Sequence, residues 1–122
     1  MTGAPTPRAA VERFLAAVRA QDLQAMSVIW GTRDGPARDE FERSQLEKRE
    51  LIMMCFFDHE SYRIVTEAPG QAGSRVLQVE LTKGPYRVAT NFYAVPGPSD
   101  RWYVENADLE PVEALCKEPP VG

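Results

Sequence analysis

Histidine and cysteine are scarce in this chain: one His and two Cys in 122 residues, at no chemically useful spacing. The single His59 leaves no imidazole pair for a metal. Cys55 and Cys116 fit neither a C-x-x-C pair nor a Cys/His ligand set. There is no G-x-S-x-G, no phosphate-cradling glycine loop and no acidic run at calcium spacing. These gaps exclude the motif-defined hydrolases, nucleotide binders and metal sites, so the reading carries no cofactor and no metal. No apolar stretch approaches the roughly 20 residues that span a bilayer, and residues 1–7 lack the basic start and apolar run of a signal peptide. As written the chain reads as soluble and cytoplasmic, with an exported or lipoprotein origin left open if a leader was removed. The net charge is -4 and the Lys and Arg residues are dispersed, which argues against nucleic acid, whose phosphates need a clustered positive surface.

What is present is a clear order of hydrophobic periods. A chain of this length buries roughly two-thirds of its unfolded surface, enough for one core. It reads as a single domain over residues 6–116, a disordered tail over 1–5 and a second tail over 117–122. Thr6-Pro7 opens a helix, since threonine caps an orphan N–H and proline at the first position loses a donor that had no partner. Val11, Phe14, Leu15 and Val18 then fall on one stripe. Asp22 is placed to cap a second short helix carrying Leu23, Met26, Ile29 and Trp30, stopped by Gly31. Asp34-Gly35-Pro36 supplies a turn.

From residue 38 to 50, nine of thirteen residues are charged with signs summing to about -1, which predicts a solvated helix face. The apolar run 51–57 predicts the deeply buried end of the same helix, favoured by continuity with the charged half over a strand, which periodicity alone does not exclude. Its Cys55, with Cys116, is expected to be a buried free thiol, a single bridge being the alternative. Runs of period-2 character follow at 60–69, 74–83, 85–95 and 100–109, separated by Gly- and Pro-containing turns. They predict an antiparallel meander. One face carries Tyr62, Ile64, Leu77, Val79, Leu81, Val88, Phe92, Trp102 and Val104. Arg63, Gln78, Glu80, Arg87, Asn91 and Glu105 point the other way. The fold class is α+β, with three N-terminal helices packed on a four-stranded antiparallel sheet.

The helix over residues 9–20, the break at Gln21-Asp22-Leu23, the segment 26–30 and the closing strand Arg101-Trp102-Tyr103-Val104-Glu105 resemble the nuclear-transport-factor-2-like superfamily, also called SnoaL-like or cystatin-like. The similarity runs from about Thr6 to Leu109 and points to small bacterial members. It implies a curved sheet wrapped round the helices as a cone, a cavity at the open end, and often a homodimer built on the outer sheet face. Within such a cone Phe14, Trp30, Phe57, Tyr62, Phe92 and Trp102 are the expected lining for a small apolar ligand. Some relatives are isomerases, dehydratases or cyclases with a general acid or base in the cavity. Proton abstraction needs a tuned carboxylate or imidazole and donors for an oxyanion. Asp58 and His59, with Tyr62, Tyr86 or Tyr93 as donor, are the candidates for that role. A binding or assembly domain without catalysis is the preferred expectation, with an enzyme and an exported structural domain as alternatives.

Overall fold

The threonine cap forms as the sequence predicts. In the computed structural model, which describes residues 1–117, the Thr6 hydroxyl accepts from the Ala9 amide at 3.0 Å and helix α1 runs Pro7–Ala20. Its stripe of Val11, Phe14, Leu15 and Val18 is buried, each large side chain contributing roughly 1.5–3 kcal/mol when removed from water. Gln21 ends the helix in the left-handed conformation. Asp22 then caps α2 (Leu23–Ile29) by accepting from the Ala25 amide at 3.0 Å. Two short strands, β1 (Gly31–Thr32) and β2 (Gly35–Pro36), form a tight antiparallel pair. A side chain at position 31 would collide with the Gly35 carbonyl, so glycine is required there.

A 3₁₀ turn over Ala37–Asp39 precedes α3 (Arg43–Phe56), so the charged stretch is divided between two elements instead of forming one helix from residue 38. The meander follows as β3 (Ser61–Pro69), β4 (Arg75–Lys83), β5 (Tyr86–Pro96) and β6 (Trp102–Ala107), paired in that order and all antiparallel. A bulge between Ile64 and Thr66 leaves Val65 unpaired. Leu77, Val79, Leu81 and Phe92 are fully buried on the face that meets α1. On the other face Glu80 pairs with both Arg63 and Arg87, at 3.7 and 3.8 Å; at the far end of the core-facing side Arg75 pairs with Glu67 at 2.9 Å. A fourth 3₁₀ turn, over Glu110–Val112, leads into α4 (Glu113–Lys117).

Three expectations are corrected. Residues 2–4 are docked, not a loose tail: Ala4 is fully buried and exchanges backbone hydrogen bonds with Trp102, at 2.9 and 2.8 Å. Arg101 and Arg13 donate to the carbonyls of Thr2 and Gly3, and the Thr2 hydroxyl meets that of Tyr103 at 2.6 Å. This segment covers the outer edge of β6, where unpaired backbone groups would otherwise face water. The cysteines are bridged, Cys55 to Cys116 with Cα atoms 4.8 Å apart, because α4 folds back beside the end of α3. Cys55 is also exposed, not buried. Finally, the run 51–57 is not buried throughout, since Leu51 and Ile52 are more than half exposed. The inward stripe of α3 is Leu46, Glu50, Met53 and Phe57, at helical spacing, which turns 51, 52 and 55 outward. Lys117 belongs to α4, and the rest of the expected tail, 118–122, lies outside the described residues.

Candidate functional site

The best-formed concavity is an apolar cleft of about 640 Å³ between α3 and the end of β6. Its floor is set by the aromatic cluster under α1. Phe14 meets Phe57 edge-on at 5.8 Å between centroids and Phe92 at 5.9 Å, while Phe57 and Phe92 lie 5.1 Å apart. Phe14, Trp30, Phe57, Met53 and Val104 line the interior, and Ile52 and Leu109, both largely exposed, border it. Gln45, Lys48, Arg49, Glu105 and Asn106 supply the polar part of the wall. Lys48 and Arg49 make no ion pair among the described residues; the Arg49 guanidinium stands 4.8 Å over the Phe41 ring. A volume of this size, mostly apolar with a few polar groups, is what a small-molecule site requires.

Three of the six expected lining residues, Phe14, Trp30 and Phe57, meet in this cleft. Phe92 lies behind Phe14 and Phe57, fully buried, and does not reach the surface of the cavity. Trp102 sits toward the N-terminal segment that it binds through its backbone. Tyr62, near the start of β3, is 37% exposed and stands away from the cleft. Burial, then the nearby Glu12 carboxylate, raises the pKa of its hydroxyl, with a lowering contribution from Arg8.

The acid/base candidates are not gathered round the cleft. Asp58 is half exposed and pairs with Lys83 at 2.8 Å, and Lys83 also donates to the Leu115 carbonyl, tying α3, β4 and α4 together. His59 is buried, its Nδ1 2.8 Å from the Phe57 carbonyl and its ring edge-on to Tyr62 at 5.7 Å. Tyr93 belongs to a network on the opposite sheet face, donating to the Asp108 carboxylate at 3.0 Å, with Asn91 donating to the same group at 3.2 Å. Burial, then the Asp108 hydrogen bond and charge, raises its pKa. Tyr86 is half-buried on β5 and does not line the apolar cleft. Among the described residues no group of His, Cys, Asp or Glu is placed to hold a metal ion. No helix among them is long and apolar enough to cross a membrane.

The residue that sequence reasoning missed is Glu50. It is 1% exposed, and its buried Oε2 has no hydrogen-bond partner among the described residues. Burial first, and the charge of Glu47 second, push its pKa up to about 7. The available signal was the stripe 46, 50, 53, 57, which runs straight through the charged segment; composition concealed what period revealed.

No protein-family model, no curated protein and no solved structure matches the chain.

Proposed function

We propose that the protein is a non-catalytic domain that holds a small amphipathic molecule in the apolar cleft, an apolar body on Phe14, Trp30 and Phe57 and an anionic head at Lys48 and Arg49. The observation that carries this reading is the pairing of an aromatic-floored cavity of about 640 Å³ with two basic side chains at its wall that make no ion pair among the described residues. An anion there gains charge-assisted hydrogen bonds, and the apolar body gains roughly 25 cal/mol per Å² removed from water. The reading rests on binding and not on turnover because Asp58 is held by Lys83, and His59 and Tyr62 stand outside the cleft.

The helix–helix–helix–meander order supports placing the chain among the nuclear-transport-factor-2-like proteins, with its sheet closing round the helices as a cone and the cleft as the cone's mouth. That placement carries a homodimer through the outer sheet face, which native mass spectrometry of the unreduced protein checks in the same spectrum as any retained ligand. The Cys55–Cys116 bridge supports a second reading about place: a domain that works in an oxidising compartment, where such bonds persist.

The deciding experiment is a fluorescence titration of Trp30, in a Trp102→Phe background, with decanoate, decanol and decylamine. Saturable binding of decanoate, tighter than the other two and weakened at least tenfold by Lys48→Met with Arg49→Met, is expected. Equal weak partitioning of all three probes overturns the proposal.

A further inference from the structure

A second cleft, of about 710 Å³, lies between α2 and α3, and its wall includes Glu50. A carboxyl oxygen taken out of water without a donor is costly, and folded proteins rarely leave one so. The neighbouring cations do not reach it. Arg43 is paired with Glu47 at 3.2 Å and Arg38 with Asp39 at 3.6 Å. The Ser27 hydroxyl donates to the Gln24 carbonyl at 2.7 Å, so it faces the cleft as an acceptor. Leu23, Val28 and Leu46 supply apolar wall.

From this arrangement we infer that the α2–α3 cleft binds a small organic cation, a primary ammonium on a short apolar body, with Glu50 as its counter-ion. The sign of the ligand follows from the lining. Both arginines already have carboxylate partners, whereas the buried Oε2 of Glu50 has none among the described residues and Glu47 lies one turn away on the same helix. An anion would meet the Glu50 carboxyl, with the charge of both arginines already balanced by Glu47 and Asp39. A neutral donor would supply a hydrogen bond but leave the repulsion between Glu47 and Glu50 in place, whereas a cation relieves both. This site is separate from the aromatic-floored cleft and does not depend on the proposal made for it.

The polar and charged groups that share the cleft wall with Glu50 are Gln24 and Ser27 from α2, Arg38 from the 3₁₀ turn, and Arg43 and Glu47 from α3. The arginines stay charged throughout the neutral range. Glu50, raised to about 7 by burial and then by Glu47, is the group that changes there. The cation binds the carboxylate, so occupancy releases a proton below pH 7. Affinity rises with pH toward about 7 and levels off above it, while a primary ammonium stays protonated.

The test uses the whole 122-residue chain, unreduced and labelled with ¹³C in the glutamate side chains, titrated with n-butylammonium chloride at pH 6 and pH 8, with n-butanol and butyrate as controls. Saturable movement of the Glu50 Cδ resonance toward the ionised position is expected. Affinity for butylammonium should be about tenfold tighter at pH 8 than at pH 6, as ionisation of a group with pKa near 7 requires. Glu50→Gln should weaken binding at least tenfold and remove the pH dependence. If butanol or butyrate moves the resonance as well as butylammonium does, or if no probe saturates, the inference is wrong and the cleft is a hydrated recess. Should the Gln variant fail to fold, the Glu50 resonance of the unmutated protein decides alone.

Discussion

The indole of Trp30 lies flat on the ring of Phe41, 5.3 Å between centroids and 15° from parallel. That stack is a partition. Trp30 lines the aromatic-floored cleft, Phe41 lines the cleft that holds Glu50, and α3 presents residues to both. Arg49 closes the arrangement by standing over the Phe41 ring.

Removing the partition should therefore be felt on both sides. Phe41→Ala is expected to lower stability by about 1–2 kcal/mol, the loss of a stacked pair and a cation–π contact. It should also shift Trp30 emission to the red as its face meets water. Urea unfolding and emission spectra, again with Trp102→Phe as background, check both; unchanged emission would mean that the stack does not shield Trp30.

Glu50 should make stability fall as pH rises. Its folded pKa of about 7 lies above the reference 4.5, so its native state holds the proton more tightly. Its favourable contribution is complete below pH 4.5 and is lost as pH climbs through 7, about 3 kcal/mol in all. Glu50→Gln removes that dependence. The difference in unfolding free energy between variant and parent should thus move in favour of the variant from pH 5 to pH 8. A difference constant with pH would show Glu50 to be ionised in the folded protein across that range.

The disulfide joins residues 61 apart in sequence. On the loop-entropy account, opening it should cost about 4 kcal/mol. Cys55→Ser with Cys116→Ser is expected to show a correspondingly lower urea midpoint, and addition of a reductant should bring the parent down to the same value without affecting the variant.

The N-terminal segment is part of the sheet's edge, so its integrity should matter to the whole fold. Ala4→Glu places a charge at a fully buried position beside Trp102 and is expected to cost about 3 kcal/mol. Thr2→Val, which removes only the hydroxyl contact to Tyr103, should cost about 1 kcal/mol. Thermal unfolding of the two variants ranks them; a harmless Ala4→Glu would show that the segment can leave.

The helices and the meander were legible because local chemistry and global packing agree there. Thr6 and Asp22 cap the helices they were expected to cap, and the strands end where Gly and Pro interrupt them. What was not legible depended on where one element lands on another. The docking of Ala4 on Trp102 joins residues nearly a hundred positions apart, and no periodic signal announces it. The Cys55–Cys116 bridge required α4, a five-residue helix too short to stand out from its Pro- and Glu-containing surroundings. In α3 the period was present but the composition pointed elsewhere: a charged block was read as solvated and an apolar block as buried. The inward stripe crosses both, which puts Glu50 inside and Leu51 outside.

The Cys55–Cys116 bond also closes a covalent ring through the chain, and β3, β4, β5 and β6 all lie within it. A protease that nicks any of the three turns between those strands linearises the ring without releasing a fragment, and the sheet stays one molecule. Helices α1 and α2 hang outside the ring on a single strand of polypeptide. A cut between α2 and Cys55 therefore leaves those helices held to the ring by the shared core alone, through Val11, Phe14 and Leu15 against Leu77 and Phe92.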